Sequence, residues 1–212
     1  YLYDSMRYNR ALKERNAYLK FDQAKIEKNF LTVLDEQLAE HGNKIMFERK
    51  TFIENLEIHA KKIHEQLTHG LETLKITYNQ NVKTDFSKEL LSRQDHDVFR
   101  HQTTVGPHRD DLQFFINDIN VADFGSQGQQ RTVALSIKLA EIDLIFEETG
   151  EYPILLLDDV MSELDNHRQL DLIETSLGKT QTFITTTTLD HLKNLPENLS
   201  IFHVTDGTIE KE

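Results

Sequence analysis

With 212 residues, 38% of them hydrophobic, the chain is long enough to bury a sizeable core as one domain or two small ones. The absence of cysteine excludes a disulfide framework, thiol catalysis and Cys-type zinc sites, and suits a reducing compartment. A formal net charge of −12 argues against a generally basic nucleic-acid protein.

In chain order, residues 4–28 read as a helix with Leu12, Leu19 and Ile26 among frequent charges. Residues 29–69 read as one long helix or two collinear ones: Phe30, Leu34 and Leu38 form one apolar stripe, and Phe52, Leu56, Ala60, Ile63 and Leu67 form another on i+3/i+4 steps. Gly42 inside this stretch predicts a kink or break, and Gly70 a C-cap. A charged helical block with so narrow a stripe predicts an arm packed along one seam. Alternation at Leu74, Ile76 and Tyr78 predicts a short strand, and residues 79–104 are polar and irregular, with room for another helix. The period then changes. Strands are expected at Leu112–Ile116 and Ile119–Val121, a helix at Gln127–Glu148, and a buried strand at Tyr152–Leu157. A helix at Asn166–Leu177, a second buried strand at Gln181–Thr185, a short helix at Leu189–Leu195 and a terminal hairpin turning through Asp206-Gly207 complete the reading. Strand–helix–strand alternation from Tyr152 onward predicts a parallel sheet. No apolar run approaches the roughly 18 residues needed to span a bilayer. YLYDSMRYNR is not a signal peptide, and Tyr1 in place of an initiator methionine reads as the start of an excised piece.

Charge is distributed unevenly. From Arg109 onward 7 Lys/Arg stand against 20 Asp/Glu, a net of −13, whereas residues 1–108 carry 17 and 16, a net of +1. Any phosphate-backbone contact is therefore expected from local basic faces of the first half. Arg7, Arg10, Lys13, Arg15 and Lys20 on the first helix are such a face, with solvated helix charge as the competing reading.

Two segments carry chemistry. Phe124–Thr132, FGSQGQQRT, is a short polar turn opening a helix, where unpaired backbone N–H groups and the positive helix end favour phosphate. Pro153–Asp165, PILLLDDVMSELD, is an apolar strand ending in Asp158-Asp159, and Asp158 lies 32 residues after Ser126. Carboxylates at the carboxyl end of a parallel strand can hold Mg²⁺ and orient water on a nucleotide. Singly, each segment is equally a turn with a cap; their order and spacing point to ATP. Gly178-Lys179-Thr180 is not a P-loop: the glycine such a loop needs five residues earlier is Ile173, and the tripeptide follows a helix, so it is read as a helix C-cap. The Pro107–Asp111 run places a histidine beside carboxylates by adjacency alone, and an ion-pair network fits it better than a metal site. His59 and His64, five apart, are read as surface helix residues. No G-x-S-x-G elbow supports Ser/His/Asp hydrolysis.

Together FGSQGQQRT, LLLDDVMSELD and GPHRDDL (Gly106–Leu112), with YNRALKERNAYLK (Tyr8–Lys20) and LDEQLAEHG (Leu34–Gly42) in support, resemble the RecF family over the whole chain. These are bacterial ABC-type ATPases of the SMC-like branch, with a head and a short helical arm; fewer than ~110 residues precede GPHRDDL, too few for an SMC coiled coil. The resemblance implies an α/β fold: a helical arm over residues 1–105, and over 106–212 the C-terminal, Walker B part of the ATPase head, with the P-loop GxxxxGK[ST] absent. It implies that Ser126 and Gly128 contact the γ-phosphate of ATP held by a second subunit, with Gln127, Gln129, Gln130 and Arg131 shaping the loop. Asp158 would be the Walker B carboxylate on Mg²⁺, acting through a bridging water. Asp159 would polarise the attacking water, and its being shorter than Glu implies slow hydrolysis. Ser162–Asp165 would be the D-loop, and Thr186 would stand where many ABC proteins carry a histidine. The implied setting is the bacterial cytoplasm and nucleoid, without a membrane, with DNA, RecR and RecO as partners, an ATP-dependent homodimer and RecA loading at gaps. A non-catalytic adaptor, or another short-armed SMC-like ATPase, remains the alternative.

Overall fold

The computed structural model describes residues 1–158, 169, 179–187 and 199–211. They form two compact units, Tyr1–Glu148 and Thr149–Glu212. The sequence boundary between 105 and 106 falls inside the first.

The first unit begins with helix α1 (Leu2–Tyr18). The sequence pattern predicted a helix running on to residue 28, but it stops ten residues earlier. The Glu27 N–H donates to the Tyr18 hydroxyl at 2.8 Å, turning the chain back through a 3₁₀ turn at Gln23–Lys25. Helix α2 (Lys28–Leu67) then runs unbroken for 40 residues. Its buried stripe is Leu31, Leu34, Leu38, Ile45, Ile53, Leu56, Ala60, Ile63 and Leu67. The predicted Phe30 and Phe52 are 49% and 47% exposed, one residue off that seam.

Gly42 does not break α2. A Cβ there would lie 2.5 Å from Phe86 Cε1 and 3.1 Å from Tyr8 Cε2, and both rings are buried. Gly42 therefore leaves room for the Tyr8 and Phe86 rings against α2, and Tyr8, Ala11, Leu38, Ala39, Ile45, Phe86 and Leu90 form the core around it. The C-terminus of α2 closes as a Schellman motif: the Gly70 N–H reaches Glu65 O at 2.8 Å and the His69 N–H reaches Gln66 O at 3.2 Å, with both residues at positive φ.

Strand β1 (Leu74–Asn79) follows, then α3 (Phe86–Arg100), the further helix for which the polar segment 79–104 left room. Asp85 caps α3 by accepting from the Lys88 N–H at 2.9 Å. Strand β2 (Asp111–Ile116) pairs antiparallel with β1, in register from Leu74↔Ile116 to Asn79↔Asp111. It returns through Asn117-Asp118, both at positive φ, into β3 (Ile119–Asn120), a two-residue primed turn. Helices α4 (Val121–Phe124) and α5 (Gln127–Thr149) complete the unit.

Two polar nodes hold it. Arg15, predicted on the basic face of α1, is instead completely buried. Its Nε donates to Asp35 Oδ1 at 2.6 Å, and its Nη1 to Asp97 Oδ2 at 2.7 Å and Thr103 Oγ1 at 2.8 Å. It sits on the same stripe as Tyr8, Ala11 and Leu19, so its spacing placed it in the core despite its charge. The second node is the Pro107–Asp111 run. The Tyr8 hydroxyl lies 2.6 Å from His108 Nδ1, and His108 Nε2 donates to Thr103 O at 3.3 Å. Arg49 Nη1 donates to Pro107 O at 2.6 Å, while Asp110 accepts from the Tyr78 hydroxyl and, at 2.7 Å, from the Asn81 N–H. Asp111 is exposed. Among the described residues no three His, Cys, Asp or Glu side chains gather as a metal site.

In the second unit, β4 (Leu155–Leu157) and β5 (Thr182–Ile184) pair in parallel, as the strand–helix–strand alternation predicted. Only part of β4 is buried: Leu157 is, but Leu156 is 71% exposed, and its register mate Phe183 is 53% exposed. No described element covers that face of the pair. Thr180, which precedes β5, donates its hydroxyl to Pro153 O, a place at odds with a P-loop; Gly178 and Ile173 lie outside the described residues. The helices expected at 166–177 and 189–195 lie outside them too. Strands β6 (Phe202–Thr205) and β7 (Thr208–Lys211) form the hairpin through Asp206-Gly207, both at positive φ.

Two expectations follow. Gly42→Ala would normally raise helix stability by about 1 kcal/mol; against the buried Phe86 ring it should lower it by about 1–3 kcal/mol, and Phe86→Leu in the same chain should relieve part of the loss, as read from urea midpoints. Burial holds the His108 imidazole below its usual range. The unfolded chain takes up that proton at higher pH than the folded one, so this stability is present above the ordinary value of 6.5 and lost as pH falls below it. Between pH 7 and pH 5 the wild type should therefore lose more stability than His108→Asn; equal losses in denaturant titrations would remove His108 as the cause.

Candidate nucleotide site

Helix α5 starts with a reciprocal capping box. Ser126 Oγ accepts from the Gln129 N–H at 3.2 Å, and Gln129 Oε1 accepts from the Ser126 N–H at 2.9 Å. The Gln130 N–H makes the first helical bond, to Ser126 O at 3.0 Å. Gln127 and Gly128 therefore hold the first two positions of a 23-residue helix, where no intrahelical carbonyl reaches an N–H. Gly125 lets the chain pass close to α4: a Cβ there would sit 2.6 Å from Val121 O. Gln130 Nε2 ties the turn down by donating to Val121 O and Gly125 O, both at 3.3 Å. Ser126, Gln127, Gln130 and Arg131 are exposed, Gly128 and Gln129 half-buried. The loop is thus an ordered N–H cluster at a positive helix end, open to solvent and suited to an anion.

The network behind this loop was not legible in the sequence. Gln129 Nε2 donates to Glu72 Oε1 at 2.9 Å, and Glu72 Oε2 accepts from His64 Nε2 at 3.1 Å. His64 Nδ1 lies 3.0 Å from Ser136 Oγ, whose hydroxyl donates to Thr132 O at 2.7 Å. His64, read as a surface residue, is completely buried. Its position on the seam of α2 beside Ile63 and Leu67 was the available signal. His59 lies nearer the surface, 3.2 Å from Glu147.

In the second unit Asp158 follows β4 directly and is exposed. Its Oδ1 accepts from the Thr185 hydroxyl at 2.6 Å, across the parallel pair that sets Leu157 beside Ile184. Thr185 is the neighbour of Thr186, the residue the resemblance places where many ABC proteins carry a histidine. Asp159 and Asp165 lie outside the described residues. One exposed carboxylate at the carboxyl end of a parallel strand fits Mg²⁺, which takes one or two carboxylates and completes its shell with phosphate oxygens and water.

No family model matches the chain. Among curated proteins it is 99% identical over 212 residues to the DNA replication and repair protein RecF of Lactococcus lactis subsp. cremoris strain MG1363, covering all of this chain and 59% of that protein. It is 54% identical over 217 residues to the RecF of Streptococcus thermophilus strain LMG 18311, again 59% of its length, and 50% identical over 226 residues to that of Enterococcus faecalis, 60% of its length. Among solved structures, the recombination mediator protein RecF with ATP in the RecFOR pathway matches all of this chain and 58% of its own at a TM-score of 0.80 and 34% identity. The same mediator with ATPrS matches at 0.81 and 35%. The fold is accordingly that of a partial ABC/SMC-like ATPase head with a helical arm. No helix among the described residues is long and apolar enough to cross a membrane. The chain belongs to the RecF family of DNA replication and repair proteins and spans about 59% of the length of the relatives it matches.

Proposed function

We propose that the chain supplies the signature loop, Walker B strand and arm of an ATP-gated dimer clamp acting in recombinational DNA repair. The observation that carries this reading is the capping box of Ser126 and Gln129, which presents the first N–H groups of α5 to solvent. In this reading residues 1–105 serve as the arm and 106–212 as part of the head. Ser126, Gln127 and Gly128 meet the γ-phosphate of ATP held by a second copy, and Gln129, Gln130 and Arg131 keep the loop in shape. The helix end and its N–H groups attract negative charge without reorganising, which favours the closed dimer.

Asp158, oriented by Thr185, would hold Mg²⁺, which when bound offsets charge on the phosphates. Asp159 would orient the attacking water and accept its proton, Asp165 would lie in the D-loop across the dimer interface, and Thr186 would stand beside the γ-phosphate site. A weak ATPase of this kind releases the clamp on hydrolysis. DNA at gaps, RecR and RecO are the partners this reading assigns, with RecA loading as the outcome in the bacterial cytoplasm. The solved relatives, described with ATP or ATPrS and within the RecFOR pathway, support the nucleotide and the pathway.

The test is the change at Ser126 to arginine in the full-length Lactococcus relative, at the matching position. Its bulk fills the loop while leaving a subunit's own nucleotide site intact. ATP binding should persist, and ATP-dependent dimerisation should weaken about tenfold or more, the equivalent of one charge-assisted hydrogen bond. Unchanged dimerisation in sedimentation velocity would remove Ser126 from the interface and favour the adaptor reading.

A further inference from the structure

The signature loop is not an independent turn. Its capping residue Gln129 uses both ends of its amide: Oε1 holds the Ser126 N–H, and Nε2 is held by Glu72. Glu72 lies in the link between α2 and β1, and its second oxygen accepts from His64, on the last turns of α2. His64 in turn reaches Ser136, one turn beyond Thr132 on α5. The two ends of this chain of bonds are the C-terminal end of the long helix and the loop read as the phosphate contact. His64 is completely buried, so its polar atoms must be matched by fixed neighbours, and water cannot replace them at low cost. An amide that bonds only Ser126 can rotate about its terminal torsion; one clamped at both ends cannot.

We propose that Glu72 and His64 are positioning residues for the signature loop. They lock the Gln129 side chain, and through it the direction of Ser126 and of the first N–H groups of α5. Displacement of the end of α2 moves Glu72, releases Gln129 and loosens the loop; engagement of the loop by an anion stiffens the same connection in the other direction, as reciprocal coupling requires. This inference rests on the clamp reading for its consequence, though the positioning itself is a property of the single chain.

The experiment uses the full-length Lactococcus relative with changes at the matching positions. Glu72→Ala and Gln129→Ala should each weaken ATP-dependent dimerisation about five- to tenfold, and the double variant should be no weaker than the worse single one, because both act through one connection. The exchanged pair Glu72→Gln with Gln129→Glu should restore dimerisation to within about twofold: Gln at 72 can donate to Glu at 129 and still accept from His64, and Glu at 129 still accepts the Ser126 N–H. Hydrogen exchange of the Ser126 amide, measured without nucleotide, should speed up several-fold in Glu72→Ala and return in the exchanged pair. Unchanged Ser126 protection in Glu72→Ala, multiplying defects in the double variant, or an exchanged pair as weak as the single ones would each overturn the proposal. A wild-type protein that ignores ATP, yet loses Ser126 protection in Glu72→Ala, would overturn the clamp reading and leave the positioning role standing.

Discussion

The first unit depends on one buried guanidinium. Arg15 is completely buried and ties α1 to α2 through Asp35 and to α3 through Asp97, with Thr103 of the following loop as its third acceptor. Each carboxylate has further donors: Gln94 reaches Asp35 at 2.7 Å, and Thr104 reaches Asp97 through both its N–H and its hydroxyl. Such a cluster adds little net stability over an apolar core of the same shape, because desolvating three charges offsets most of the attraction. Its effect is on geometry. Removing any one member strands the others, at about 3–5 kcal/mol, so the three helices have one arrangement in which the guanidinium meets both carboxylates. Gly42 reinforces that arrangement sterically, because the α1 and α3 rings lie where any side chain would stand.

That constraint propagates along α2. A helix of 40 residues fixed at its first half carries a defined position to its far end, where Ile63 and Leu67 are buried and His64 begins the connection through Glu72 to Gln129. The same far end starts β1, whose pairing with β2 and return through β3 lead into α4 and the Ser126 loop. The loop is therefore reached from α2 by two routes: the covalent path through the sheet and the hydrogen-bonded path through Glu72. A loop held this way has little freedom to reorganise, which is what electrostatic preorganisation of the proposed phosphate contact requires.

Most elements were legible because their signals are local. The apolar period of α2, the alternation at β1, the Asp206-Gly207 turn and the parallel pairing of β4 with β5 all follow from nearby residues. The capped turn at Ser126 was legible from SQGQ, since Ser126 and Gln129 are three apart, as a capping box demands. Readings that failed turn on distant residues. Gly42 looked like a break because Phe86, 44 residues on, is what requires it. Arg15 and His64 looked like surface residues because their partners Asp97 and Ser136 lie 82 and 72 residues away. Phe30 and Phe52 were placed on the stripe by their spacing of four from Leu34 and Leu56, while the seam runs through their neighbours Leu31 and Ile53. Around Asp158 the strand end was legible from its apolar run, whereas the Thr185 contact was not, since only the register of β5 against β4 brings Thr185 to it.

The most direct measurement is photolabelling of the full-length Lactococcus relative with an ATP analogue carrying the reactive group on its γ-phosphate, followed by peptide mapping. The account predicts label in the peptide containing Ser126–Gln130, rising with protein concentration as the dimer forms. Label that never enters that peptide at any concentration, with the analogue bound and the dimer present, would contradict it.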